Sequence, residues 1–198
     1  MNKLGKLFIT LGVILIVISI SMLIYNKYED INAGISSKDV LAIIENTMDE
    51  INQENDLDIF VNDYFKEMET TSIKGYDYIG KIIIPKLSLE LPIMSEYDYD
   101  RLKIAPCRYY GSIYTNDLII CGHSYKTHFR YLNKLKSKDL VVFTDVNNIN
   151  YTYEVLEIEV LEKTDVEKMI NNDYDLTLYT CTNGGIDRLA IRCNRVGM

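Results

Sequence analysis

Two strand ends lying far apart in the chain carry the residue types of covalent acyl transfer. One apolar run, Leu118-Ile119-Ile120-Cys121, closes in Gly122-His123. Another, Leu176-Thr177-Leu178-Tyr179, closes in Thr180-Cys181, and Arg188 opens a third run shortly downstream. A thiol can act as nucleophile, an imidazole can move protons, and a guanidinium can steady a tetrahedral oxyanion. Cys181 is followed by the polar, Gly-rich stretch Thr182-Asn183-Gly184-Gly185. A reactive thiol needs such a place, partly exposed and near a cation. Arg188 is the first candidate for that cation. Arg192, four residues on, shares its strand face and is the second. Leu176, Leu178 and Thr180 face one way along their own strand.

The other cysteines read differently. Cys121 and Cys193 sit inside apolar runs, where free cysteine behaves as a small buried hydrophobe. Cys107 follows Pro106 in a context that does not decide its role. No CxxC pair is present, and the reading favours four free thiols over two disulfides. Of the two histidines, His128 reads as an exposed loop residue ahead of the apolar Phe129 and Leu132. Two histidines five residues apart, with unmatched Cys and scattered Asp, do not have metal-ligand spacing, so no metal or cofactor is implied.

The elements that must position these residues come in three parts. Lys3 and Lys6 precede an uncharged Ile-, Leu- and Val-rich stretch from Leu7 to Tyr25. At ~1.5 Å per residue it approaches the ~30 Å hydrocarbon core of a bilayer. It is longer than the apolar region of a cleavable signal peptide and lacks an Ala-x-Ala site, so an uncleaved anchor is the reading preferred. The flanking lysines place the N-terminus in the cytoplasm and everything after Tyr25 outside.

Residues 26–72 form an acidic stem. Ser36 or Ser37 reads as the cap of a helix beginning near Asp39, with Val40, Leu41, Ile43, Ile44, Met48 and Ile51 as its apolar stripe. A second short helix is expected from Leu57 to Met68. The stem reads as a spacer that lifts the following domain off the membrane and can pack against it. The chain's formal charge is −8; residues 1–25 carry +2 and residues 26–70 carry −9, so residues 71–198 carry only −1. No basic stripe exists outside the N-terminal flank, which argues against a nucleic-acid partner.

From Tyr78 the hydrophobic period becomes that of strands. Runs at 79–85, 87–93, 117–122, 139–144, 149–161, 176–180 and 188–196, with only short helical pieces between them, predict a mainly β fold. Residues 73–198 should form a closed barrel of seven or eight strands.

These residues resemble the sortase family of membrane-anchored cysteine transpeptidases of Gram-positive bacteria. The likeness covers roughly residues 76–196. Gly80-Lys81-Ile82-Ile83-Ile84-Pro85 is similar to the family's first strand and Leu91-Pro92-Ile93 to the end of its second. Ile119-Ile120-Cys121-Gly122-His123 and Phe129-x-x-Leu132-x-x-Leu135 follow in order. Thr177-Leu178-Tyr179-Thr180-Cys181 meets the nucleophile motif in full, and Arg188 opens the final strand as the family's arginine does. The loop from Cys181 to Arg188 is shorter than in many relatives, which keeps Arg192 open. The stem has no Asp-Pro-aromatic lid, so the resemblance points to a protein-anchoring enzyme rather than a pilin polymerase. The subclass stays open between class D-like and class B-like, with the Gly-His-x-x-x-x-His-Phe stretch leaning to class D.

The resemblance implies a specific chemistry. A surface protein's Leu-Pro-x-Thr-Gly-type sorting signal is cleaved through a thioacyl intermediate on Cys181. His123 acts as acid and base, Arg188 as oxyanion donor, and Thr180 orients the substrate or Arg188. The acyl group then passes to a cell-wall peptide amine. Two other readings stand beside it. One is an L,D-transpeptidase-like wall enzyme, whose Ser-x-Gly-Cys-x-Arg setting is absent here. The other is a non-catalytic extracellular binding or assembly module carried on the stem.

Overall fold

The computed structural model describes residues 3–51, 67–182 and 184–197. Helix α1 runs unbroken from Lys3 to Ile51. No proline precedes Pro85, so no backbone constraint stops the apolar helix at Tyr25. The anchor and the first part of the stem are therefore one rod. This departs from the expected second start near Asp39, and neither Ser36 nor Ser37 is an N-cap. Gly34 lies inside the helix there, at a cost of about 1 kcal/mol relative to alanine. The helix expected from Leu57 to Met68 lies largely outside the described residues.

The rod has two unlike halves. From Leu7 to Tyr25 its apolar side chains are exposed. This half is long and apolar enough to cross a membrane. Beyond it Ala33, Ser37, Val40 and Ile44 are buried, at steps of four, three and four residues. That stripe lies along the barrel, so the stem helix packs against the domain.

The strands are β1 (Thr71–Ile73), β2 (Tyr76–Ile84), β3 (Leu89–Met94), β4 (Cys107–Tyr110), β5 (Leu118–Cys121), β6 (Leu140–Asp145), β7 (Asn150–Glu162), β8 (Leu176–Cys181) and β9 (Asp187–Arg195). A short helix, α2 (Val166–Ile170), precedes β8. The sheet order is β1-β2-β3-β4-β5-β8-β9-β7-β6, and a β2–β6 pairing closes eight of the strands into a ring with β1 as an appended hairpin arm. Closure depends on Gly80, which has φ of +143° at a bulge in β2. A Cβ there would fall 2.0 Å from the Thr144 carbonyl oxygen on β6. Only glycine permits that approach.

The ring is a mixed barrel. β3–β4 and β5–β8 are parallel, and the remaining pairs are antiparallel. Strand parity divides the apolar residues into two layers. Ile82, Ile84, Leu91, Ile120, Leu178 and Ile191 fill the interior. Val40 and Ile44 of α1 join Tyr78, Met94, Ile119, Cys121 and Tyr179 in a second cluster outside it. The expected barrel is present. Two short strands, β1 and β4, add to the runs visible in the sequence, and β4 places Cys107 in the outer cluster opposite Cys121.

His128 corrects another expectation. It is 1 % exposed, not a loop-surface residue, because α1 lies over it. Its Nε2 is 3.1 Å from Ser37 Oγ, and the same hydroxyl donates to the Ile104 carbonyl oxygen at 2.9 Å. Burial lowers the imidazole's pKa to about 4. An unfolded imidazole titrates near 6.5, so between those values the unfolded chain binds the proton and the folded one does not. The stabilising contribution is complete above pH 6.5 and is lost as the pH falls toward 4, by roughly 3 kcal/mol in total. Urea unfolding of the full chain across pH 4–7 should show this dependence, and His128→Gln should flatten it.

Candidate active site

Register alone builds the site. β5 and β8 pair in parallel with Cys121 opposite Tyr179, and β8 pairs with β9 with Tyr179 opposite Ala190. These three residues lie on the outer face. One pleat further along each strand come His123, Cys181 and Arg188, where β8 and β9 pair Cys181 directly with Arg188. The ladder continues past β5 through Gly122, whose N–H donates to the Tyr179 carbonyl oxygen at 3.0 Å. Neighbouring strands stand ~4.8 Å apart. The thiol is therefore central in a row, with the imidazole on one side and the guanidinium on the other.

Gly122 is required for packing, not for its torsion. A Cβ there would sit 2.2 Å from the Phe129 ring, which is wholly buried. Phe129 in turn donates its N–H to the His123 carbonyl oxygen at 3.1 Å, folding the chain back immediately after the histidine.

The four cysteines are free thiols, and burial separates them. It pushes Cys107, Cys121 and Cys193 up to about 12, so none of them forms a thiolate near neutrality. Cys181 is the half-exposed one. It opens on a cleft of about 380 Å³ whose walls include His123, Tyr125, Thr182 and Gly185, with Glu29 and Asp30 contributed by α1. Burial lowers the pKa of His123, Glu29 raises it, and Lys103 adds a smaller lowering. The imidazole ring is stacked on Tyr125, with centroids 4.0 Å apart and planes 3° from parallel.

The two candidate arginines have different surroundings. Arg192 is 1 % exposed. It pairs with Glu159 at 2.6 Å and donates to Thr177 Oγ1, the Met169 carbonyl and the Lys168 carbonyl. Four of its five N–H donors are thus used, and they fasten α2 to the barrel wall. Arg188 is only half-buried, and its guanidinium donates to the backbone carbonyls of Asp187 and Gly185 at 3.1 and 3.4 Å. It remains beside the thiol with donors to spare. Thr180 is not brought to the face of Cys181. It faces the barrel interior, paired across from Leu189, and its buried hydroxyl has no hydrogen-bond partner among the described residues.

The family model for the sortase domain matches residues 82–196, more than half of the chain. The chain belongs to the sortase family. Solved sortases share its fold. Sortase C1 from Streptococcus agalactiae is 27% identical over 64% of this chain and 72% of that one, with a TM-score of 0.55. The Clostridium perfringens sortase D5 transpeptidase is 22% identical over 79% and 99%, at a TM-score of 0.56. Sortase C of the same organism, solved with its C-terminal cell wall sorting motif, is 21% identical over 79% and 91%, at 0.55. No curated protein matches in sequence. Sortases are cysteine transpeptidases, and this chain is one by family and fold.

Sequence reading missed three residues of this sortase's cleft. Tyr125 carried a usable signal, lying two residues after His123 in the same loop. Glu29 and Asp30 carried none, since they reach the cleft from a helix some ninety residues upstream. The two arginines can be separated by stability. Arg192→Met should cost about 3 kcal/mol, because Glu159 and three acceptors lose their partner. Arg188→Ala should change unfolding in urea by less than about 0.5 kcal/mol.

Proposed function

We propose that this sortase cleaves a Leu-Pro-x-Thr-Gly-type sorting signal and passes the released carbonyl to a cell-wall peptide amine. The observation that carries this reading is the row His123–Cys181–Arg188 at one barrel end, with the half-exposed thiol in the middle. Cys181 gives up its proton to His123, and the thiolate attacks the carbonyl of the signal's Thr. Arg188 and a backbone N–H near Cys181 hold the oxyanion. His123 returns the proton to the departing Gly amine, leaving a thioester on Cys181. It then takes a proton from the incoming amine, which attacks the thioester and frees the thiol.

The burial of His123 suits this sequence. A neutral imidazole can accept the thiol proton, and Glu29 nearby favours the imidazolium that results. Thr180, which faces the barrel interior and whose hydroxyl has no partner among the described residues, takes no part in these steps. The proposed division of the chain is an anchor (1–25), a stem (26–72) and a catalytic barrel (73–198). The N-terminus is cytoplasmic and the barrel lies on the outer surface of the cell membrane. The apolar half of α1 supports that topology, together with the lysines before it.

The full chain in detergent micelles, incubated with a panel of sorting-signal peptides, should show a peptide-derived mass adduct on Cys181. Cys181→Ala should remove it, and an adduct retained in that variant would overturn the assignment. Arg188→Ala should still bind peptide while kcat falls about 10²–10³-fold, the effect of losing one oxyanion donor.

A further inference from the structure

The loop that carries His123 is fastened to α1 at three points. Tyr125 donates its hydroxyl proton to Glu29 Oε2 over 3.5 Å. Thr127 donates its N–H to Asp30 Oδ1 at 3.2 Å and its hydroxyl to the Asp30 carbonyl oxygen at 3.0 Å. His128 meets Ser37. Gly34 makes the approach tight, since a Cβ there would lie 2.7 Å from the Thr127 methyl. The Tyr125 ring stands between the two histidines, stacked on His123 and tilted against His128 with centroids 5.5 Å apart.

We propose that α1 is a working wall of the active site, in which Glu29 holds Tyr125 as the platform that orients the His123 ring. This rests on the reading of His123 as the acid–base group. Tyr125 and Glu29 are then positioning residues. The parallel stack leaves the imidazole its in-plane nitrogens for proton transfer while restricting rotation about χ2. Without it, a half-exposed imidazole on a loop spends much of its time misaligned, and small misplacements of a reacting group cost up to about 10²-fold in rate.

Glu29 acts on charge as well as orientation. The groups facing His123 come from four places. Glu29 and Asp30 project from α1, and Lys103 and Tyr99 from the 96–104 segment. Lys126 and Arg130 belong to the histidine loop, and Cys181 stands opposite. Glu29 favours the imidazolium and Lys103 opposes it. Removing the Glu29 charge therefore moves the titration of His123 to lower pH.

The test is carbon-13 NMR of histidine-labelled full-length protein in micelles, run beside peptide turnover. The chain's two histidines give two signals. His128, which titrates near pH 4, reports whether α1 is still docked. Glu29→Gln should lower the His123 midpoint and shift the acid limb of the kcat profile in the same direction. Tyr125→Leu should lower kcat about 10-fold or more with KM little changed, and Tyr125→Phe, which keeps the ring, should recover most of that loss. An unmoved His123 midpoint in Glu29→Gln, or Tyr125→Phe no better than Tyr125→Leu, overturns the proposal. Should Tyr125→Leu lose the docked His128 signal, the Glu29→Gln titration decides alone. Turnover retained in His123→Ala would instead overturn the acid–base reading.

Discussion

The parallel pairing of β5 with β8 is the constraint on which the rest of this site depends. Its register sets Cys121 opposite Tyr179, and the positions of His123 and Cys181 follow from continuing each strand by one pleat. A slip of one residue would turn the thiol into the barrel and Thr180 outward, because successive side chains alternate faces. The slip is prevented on both sides of the sheet. Leu118, Ile120, Leu176 and Leu178 are fixed in the interior, while Ile119, Cys121 and Tyr179 are fixed beneath the outer layer. A sheet buried on both faces cannot trade one register for another without exposing apolar area. Precision at the reactive end is thus inherited from packing well behind it.

Parity also explains why similar residues differ so much in chemistry. Arg188 and Arg192 share the outer face of β9, yet Arg192 lies under α2 and is consumed by Glu159 and backbone carbonyls, whereas Arg188 stands at the strand's open end. Cys121 and Cys181 likewise share the outer face of neighbouring strands. Burial holds one thiol protonated, and the other looks into the cleft. Position along the strand, more than residue type, separates structure from chemistry here.

The barrel was legible in the sequence, and the row proposed for catalysis stood out with it, because both are written in local pattern. Period-two alternation marks most of the strands, and the Gly-His and Thr-Cys endings stand at the ends of such runs. β1 and β4 were not visible, being three and four residues long with too few alternations to count. His128 was misread for a different reason. Its apolar neighbours Phe129 and Leu132 belong to the barrel core, and the helix that covers it lies 91 residues upstream at Ser37. Ser37 was misread along with it. Serine just ahead of an apolar helical stripe looks like a helix start, but here its hydroxyl is spent on the barrel and the helix passes through. Tertiary contact overrode local propensity at both ends of one hydrogen bond.

The unbroken helix has a consequence for how this enzyme searches. Glu29 follows Tyr25, the last residue of the apolar run, by one helical turn, or ~6 Å of rise. With the apolar half in a bilayer, the cleft would open near the lipid headgroups, because α1 runs from one to the other without a break. Its encounters then take place within a sheet of fluid a few ångströms thick, where a partner must arrive by lateral diffusion at a matching height. A peptide dissolved in the bulk must descend to that layer. One whose reactive bond lies close to its own membrane segment is already there.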